Sequence, residues 1–71
     1  MRAQFDPEAD ALYLRLDESA VVESEEIHPG VILDFNAQND VVAIEVLHVR
    51  SRLPNADLTT LDFKLTPSSV S

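Results

Sequence analysis

The stretch HPGVILDFNAQNDVVAIEVLHV, residues 28–49, decides the fold. It is apolar on both sides of one polar turn, yet Asp34 and Glu45 each stand inside an apolar run. His28-Pro29-Gly30 reads as a turn, since Pro then Gly suits the two centre positions of a type II turn. Val31–Phe35 and Val41–Val49 read as strands. The parity of the loop between them chooses which side of the ribbon carries the acids, because a one-residue slip moves every side chain to the opposite face. A four-residue loop, Asn36–Asn39, with Asn39 left-handed, sets Phe35 opposite Asp40, Leu33 opposite Val42 and Val31 opposite Ile44. One face is then wholly apolar, and the other holds Ile32, Asp34, Val41, Ala43, Glu45 and Leu47. A three-residue loop buries one carboxylate on each face, at several kcal/mol apiece unless paired. The four-residue loop is therefore expected, with Asp34 and Glu45 on the less buried face. The apolar residues around them mark that face as a surface for another element or subunit.

Working outward, Met1–Phe5 reads as a first strand and Asp6-Pro7-Glu8-Ala9-Asp10 as a turn, with Asp6 accepting backbone N–H bonds. Ala11–Leu16 alternates with period two, placing Leu12, Leu14 and Leu16 on one side and Ala11, Tyr13 and Arg15 on the other. Ala20–Ile27 is a weaker strand with acids at Glu23, Glu25 and Glu26; charge crowded on one strand suits a sheet edge, where it discourages pairing with other chains. Beyond Val49, Asn55–Leu58 reads as a helical turn and Leu61–Leu65 as a last strand. The chain is thus expected to be one mainly β domain over residues 1–66: a small antiparallel sheet of five or six strands in hairpins or a meander, at most one short helical turn near the C-terminus, and a polar tail over 67–71. Only one glycine is present, so Asn and Asp must supply other left-handed turn positions.

A chain of 71 residues buries too little surface to be comfortable alone, and this one has no cysteine to cross-link it or to bind zinc as thiolate. Extra burial through a homodimer is the expectation. Thirteen acids against five bases give a formal charge of −8, which repels both phosphate backbones and anionic membranes and attracts a basic protein. The first residues lack the apolar core of a signal peptide, and no apolar run approaches a bilayer's thickness. A bacterial, cytoplasmic protein is expected, with no nucleic-acid or membrane partner.

FDPEADALYLRL, ESEEIHPGVILDFNAQNDVVAIEVL and RLPNADL, in this order and spacing, resemble the small bacterial family known as domain of unknown function 2283. The resemblance spans Phe5–Leu53. It implies a small, mostly β fold and membership of toxin–antitoxin-like gene pairs, as the antitoxin. It supplies no catalytic or binding residues to transfer. Asn39 stands where the family usually has Gly.

No catalytic grouping emerges from the residues themselves. Asp34 and Glu45 share a face without being cross-strand partners, and an Arg15–Glu or Arg50–Glu45 ion pair is their expected use. His28 and His48 are isolated on different elements and fall short of the three or four ligands zinc requires. Asp6, Glu8 and Asp10 imitate the start of a calcium loop, but its sixth position is Ala11 rather than Gly. No serine elbow or glycine-rich phosphate loop occurs. No enzyme, cofactor or metal is expected. The expected function is an acidic protein-binding module acting through Ile32, Asp34, Val41, Ala43, Glu45 and Leu47, in antitoxin-like fashion on a small basic protein. A self-associating structural homodimer is the alternative, and a small metal-binding or enzymatic domain is a third possibility.

Overall fold

The computed structural model describes residues 1–67. Five strands, β1 (Arg2–Asp6), β2 (Ala11–Arg15), β3 (Glu23–His28), β4 (Val31–Phe35) and β5 (Val41–Leu47), form one antiparallel sheet, followed by a single-turn helix, α1 (Val49–Arg52). The sheet order is β1-β2-β5-β4-β3. Consecutive strands pair as hairpins except β2 and β3, whose connection crosses the end of the sheet to the far edge, in the manner of a Greek key. That crossing is fastened along its length. Leu16 and Asp17 both donate backbone N–H bonds to Val42 O, Asn36 Nδ2 donates to Ser19 Oγ, and Val22 N donates to Phe35 O.

The turns follow their chemistry. Asp6 Oδ1 accepts from Glu8 N and Ala9 N, and Asp10 closes that turn at φ 54°. Gly30 has φ 80°, as the third position of a type II turn demands. Asn36 Oδ1 accepts from Gln38 N and Asp40 N, and Asn39 takes φ 66°.

The β4–β5 turn differs from expectation in an informative way. Asn36 N donates to Asp40 O and Phe35 stands opposite Val41, the odd register of a three-residue loop. One residue further in, the register steps, so that Asp34 opposes Ala43, Leu33 opposes Ile44 and Ile32 opposes Glu45. Val42 is the extra residue, a β-bulge. The bulge restores the parity that keeps both acids on one face. The cost of burying a lone carboxylate in the apolar face selects this arrangement, reached by a different backbone route from the one expected.

One face carries Leu14, Ile44 and Leu33 in one cross-strand row and Phe5, Leu12, Val46 and Val31 in the next. The other carries Arg2, Arg15, Ala43, Asp34 and Ser24 in one row and Gln4, Tyr13, Glu45, Ile32 and Glu26 in the next. The buried apolar core is small: Val42, Ala43 and Val49.

The C-terminal part departs from its reading. The helical turn lies at Val49–Arg52 instead of Asn55–Leu58, and β5 ends at Leu47. The cause lies forty residues upstream. Asp10 O accepts from Val49 N and its carboxylate from Arg50 N, capping the first helical N–H groups across the fold. Arg50 Nε adds a 2.9 Å ion pair to Asp10, so Arg50 is unavailable to Glu45. Leu61–Leu65 alternates as a strand does but pairs with none among the described residues, and Leu61, Phe63 and Leu65 are exposed. The expected polar tail lies, from residue 68 on, outside the described residues.

Candidate functional site

The polar face of the sheet gathers the side chains with the most chemistry. Alternation along β2 sends Tyr13 and Arg15 to this face, and the bulge sends Asp34 and Glu45 there too. Asp34 is 3% exposed and accepts a 2.6 Å hydrogen bond from Ser24 Oγ, its cross-strand neighbour on β3. Glu45 lies diagonally from Asp34, between Ile32 and Tyr13. Burial pushes the Glu45 carboxyl above its ordinary pKa, and the hydrogen bond and negative charge of Asp34 push it further in the same direction. Glu45 thus holds its proton more tightly than a free glutamate would.

Arg15, in the same row as Asp34, turns away from both acids. Its Nη1 donates to Tyr13 Oη at 3.1 Å and its Nη2 to the carbonyl of Ser19 in the β2–β3 crossing, while Nε is buried without a partner. The expected Arg15–Glu pair is therefore replaced by bonds to neutral oxygens. The crossing that Arg15 holds down lies at the Asp34 end of this face. The face expected to be less buried consequently contains two of the most buried side chains, Asp34 and Ala43.

Of the six residues expected to form an interaction surface, Ile32, Asp34, Ala43, Glu45 and Leu47 share this face. Val41 does not, because the bulge sets it opposite Phe35 on the apolar side. Asp34 and Ala43 offer nothing to a partner. Tyr13, Arg15 and Ser24 were absent from that set. The period-two pattern of β2 signals the first two, but the β3 pairing that brings Ser24 to Asp34 has no local signal.

Two acids with opposed environments can serve as acid and base, given a cavity for substrate. Two grooves lie elsewhere. A groove of about 400 Å³ runs between Ala3 and Leu12 on the apolar side and Leu53, Leu58 and Leu61 of the C-terminal segment, and a smaller one lies between Met1 and Phe63. Neither touches Asp34 or Glu45. Among the described residues no three His, Asp or Glu side chains converge as metal ligands, and no helix is long and apolar enough to cross a membrane. Two of the three calcium-like acids have structural employment: Asp6 caps its turn and Asp10 clamps α1.

The second notable element is β3. It is an edge strand, exposed at all six positions, with Glu23 and Glu25 opposite residues of the apolar face and Glu26 on the polar face. Val22 and Ile27, at or just before its ends, are 64% and 54% exposed.

Comparison with known families matches residues 2–50 to the family described as "Protein of unknown function (DUF2283)". The chain belongs to this family. The DUF2283 match spans all five strands and ends at Arg50, the residue that Asp10 clamps, so it covers the complete sheet with its acid pair and acidic edge. No curated protein and no solved structure matches the chain.

Proposed function

We propose that this chain is a non-catalytic, cytoplasmic protein-binding module whose partner is a small basic protein, in the manner of an antitoxin. The partner adds an extended segment to the open edge of β3. The observation that carries this reading is the composition of that edge: three exposed glutamates, flanked by exposed Val22 and Ile27, along a strand whose backbone is paired on one side only. Strand addition takes affinity from main-chain hydrogen bonds and specificity from alternate side chains, here Lys or Arg against Glu23, Glu25 and Glu26. The charge of −8 accelerates the encounter with a basic partner, and salt weakens it. This edge replaces the Ile32–Leu47 face as the docking element, because the centre of that face is buried.

The test is co-expression with the product of the adjoining open reading frame, followed by capture at low and high salt. A complex that salt disperses, and that the combined Glu23→Lys, Glu25→Lys and Glu26→Lys variant fails to form, supports the reading. All three side chains are exposed, so the variant retains the fold. A complex indifferent to the triple reversal, or no basic partner captured at low salt, overturns it.

A further inference from the structure

The apolar face of the sheet is too greasy and too open for a chain that stays single. Leu14, Ile44 and Leu33 form a cross-strand row at its centre, flanked by the Leu12–Val46 row, and none of these side chains is buried. The C-terminal segment crosses only one side of it, over Ala3 and Leu12, and leaves Leu61 68%, Phe63 69% and Leu65 87% exposed. Among the described residues, three large apolar side chains at alternate positions of an extended, unpaired arm therefore stand beside a sheet face that lacks a second layer.

The surface of the whole chain, arm included, is larger than a compact monomer's. The chain exposes 5577 Å². A compact monomer of 7.9 kDa exposes about 4,400 Å². The excess, roughly 1,200 Å², exceeds the approximately 800 Å² that each partner contributes to a standard stable interface. The radius of gyration agrees: 14.2 Å, against about 11 Å for a compact domain of this length. The least dimension is 19 Å, a sheet with partial cover.

We propose that the occupant of this face is a second copy of the chain. The two sheets stack through the Leu14–Ile44–Leu33 rows, and each arm, through Leu61, Phe63 and Leu65, lies against the partner. A self-complementary patch on both copies closes as a two-fold dimer. The centre of the face holds no charge, and its acids, Glu23 and Glu25, sit at the β3 edge. Two such chains repel through their net charge and attract through apolar area. Salt therefore strengthens the dimer, opposite to its effect on a basic partner at β3. The dimer also leaves the outer β3 edge open, so its failure would not touch the edge-docking proposal, nor the reverse.

Sedimentation equilibrium of the full chain at low and high salt tests this. The expected species has twice the mass of 7.9 kDa and tightens as salt rises. Leu61→Ser with Phe63→Ser alters only exposed side chains and so leaves the fold intact by circular dichroism. It should raise the dissociation constant roughly tenfold or more, as expected for removing two interfacial apolar side chains. An Ile44→Thr variant that still folds should weaken the dimer as well, and Leu47→Ser, on the polar face, should not. A monomer at about 100 µM in high salt, well above the micromolar constants typical of weak specific interfaces, overturns the proposal. So does a dimer that survives the arm substitutions unchanged or dissociates on Leu47→Ser.

Discussion

Glu45→Gln is the most searching perturbation of the sheet, because it removes a charge from a half-buried position without changing its shape. Glu45 and Asp34 are diagonal neighbours on one face, and Asp34 is buried. Like charges that meet across strands destabilise by up to about 1 kcal/mol. The glutamine amide also donates a hydrogen bond to the Asp34 carboxylate, which an ionised Glu45 cannot. A gain of about 1 kcal/mol at pH 7.5 is expected, which moves a urea midpoint by roughly 1 M or a melting temperature by about 4–8 °C for a domain of this size. The pH dependence has a definite sign. The folded chain holds the Glu45 proton more tightly than the unfolded chain does. The parent therefore loses stability as pH rises from the ordinary glutamate value, 4.5, through the elevated folded one, and is relatively favoured below that window. Glutamine has no such titration, so the advantage of the variant should be largest at pH 7.5 and shrink towards zero near pH 4.5. Urea titrations of parent and variant at both pH values measure this, at one fixed protomer concentration because association adds to apparent stability. Equal or lower stability of the variant at pH 7.5, or the same gain at both pH values, refutes the acid-pair reasoning.

Three further perturbations probe other parts of the fold. Gly30→Ala places a Cβ at φ 80°, 3.3 Å from Arg52 Cζ; the flexible arginine can yield but the backbone cannot, so a loss of about 1–2 kcal/mol is expected in urea melts, and an unchanged midpoint would contradict it. Asp10→Asn retains a residue that tolerates the left-handed turn but loses the anionic clamp on α1, so trypsin should cut after Arg50 and Arg52 faster than in the parent. The Arg50 backbone N–H, more than its guanidinium, holds the Asp10 carboxyl below its usual range, so the parent should lose this clamp as pH falls through that lowered value, and protection from trypsin should fail at acid pH in parallel. Val42→Ala empties a site that is 1% exposed; two methyl groups at about 0.8 kcal/mol each, plus a cavity, predict a loss of about 2 kcal/mol or more by chemical denaturation, while Val41→Ala, 37% exposed, should cost far less.

Much of this architecture was legible in the residues alone. Period-two alternation identified the strands and assigned Leu12 and Leu14 to one side and Tyr13 and Arg15 to the other. Asp-Pro, Pro-Gly and Asn-rich stretches located three turns, because turn geometry depends on a few adjacent dihedrals. The cost of burying a carboxylate was enough to place Asp34 and Glu45 on one face. The crowding of Glu23, Glu25 and Glu26 marked β3 as an edge. These are local properties, readable within about ten residues.

The tertiary structure alone decided what joins distant segments. Alternation in 61–65 permits a strand, but a strand exists only where another backbone completes its hydrogen bonds, and none does among the described residues. The helical turn sits at Val49 rather than Asn55 because Asp10 caps it from across the fold. Asp34 is buried rather than displayed, bonded to Ser24 of a strand that reaches it only through the crossing to the far edge of the sheet. The Val42 bulge reconciles an odd turn with an even demand. Sequence pattern determines which side chains can share a face; which faces meet, and what covers them, depends on contacts whose free energy exists only once the whole sheet has closed.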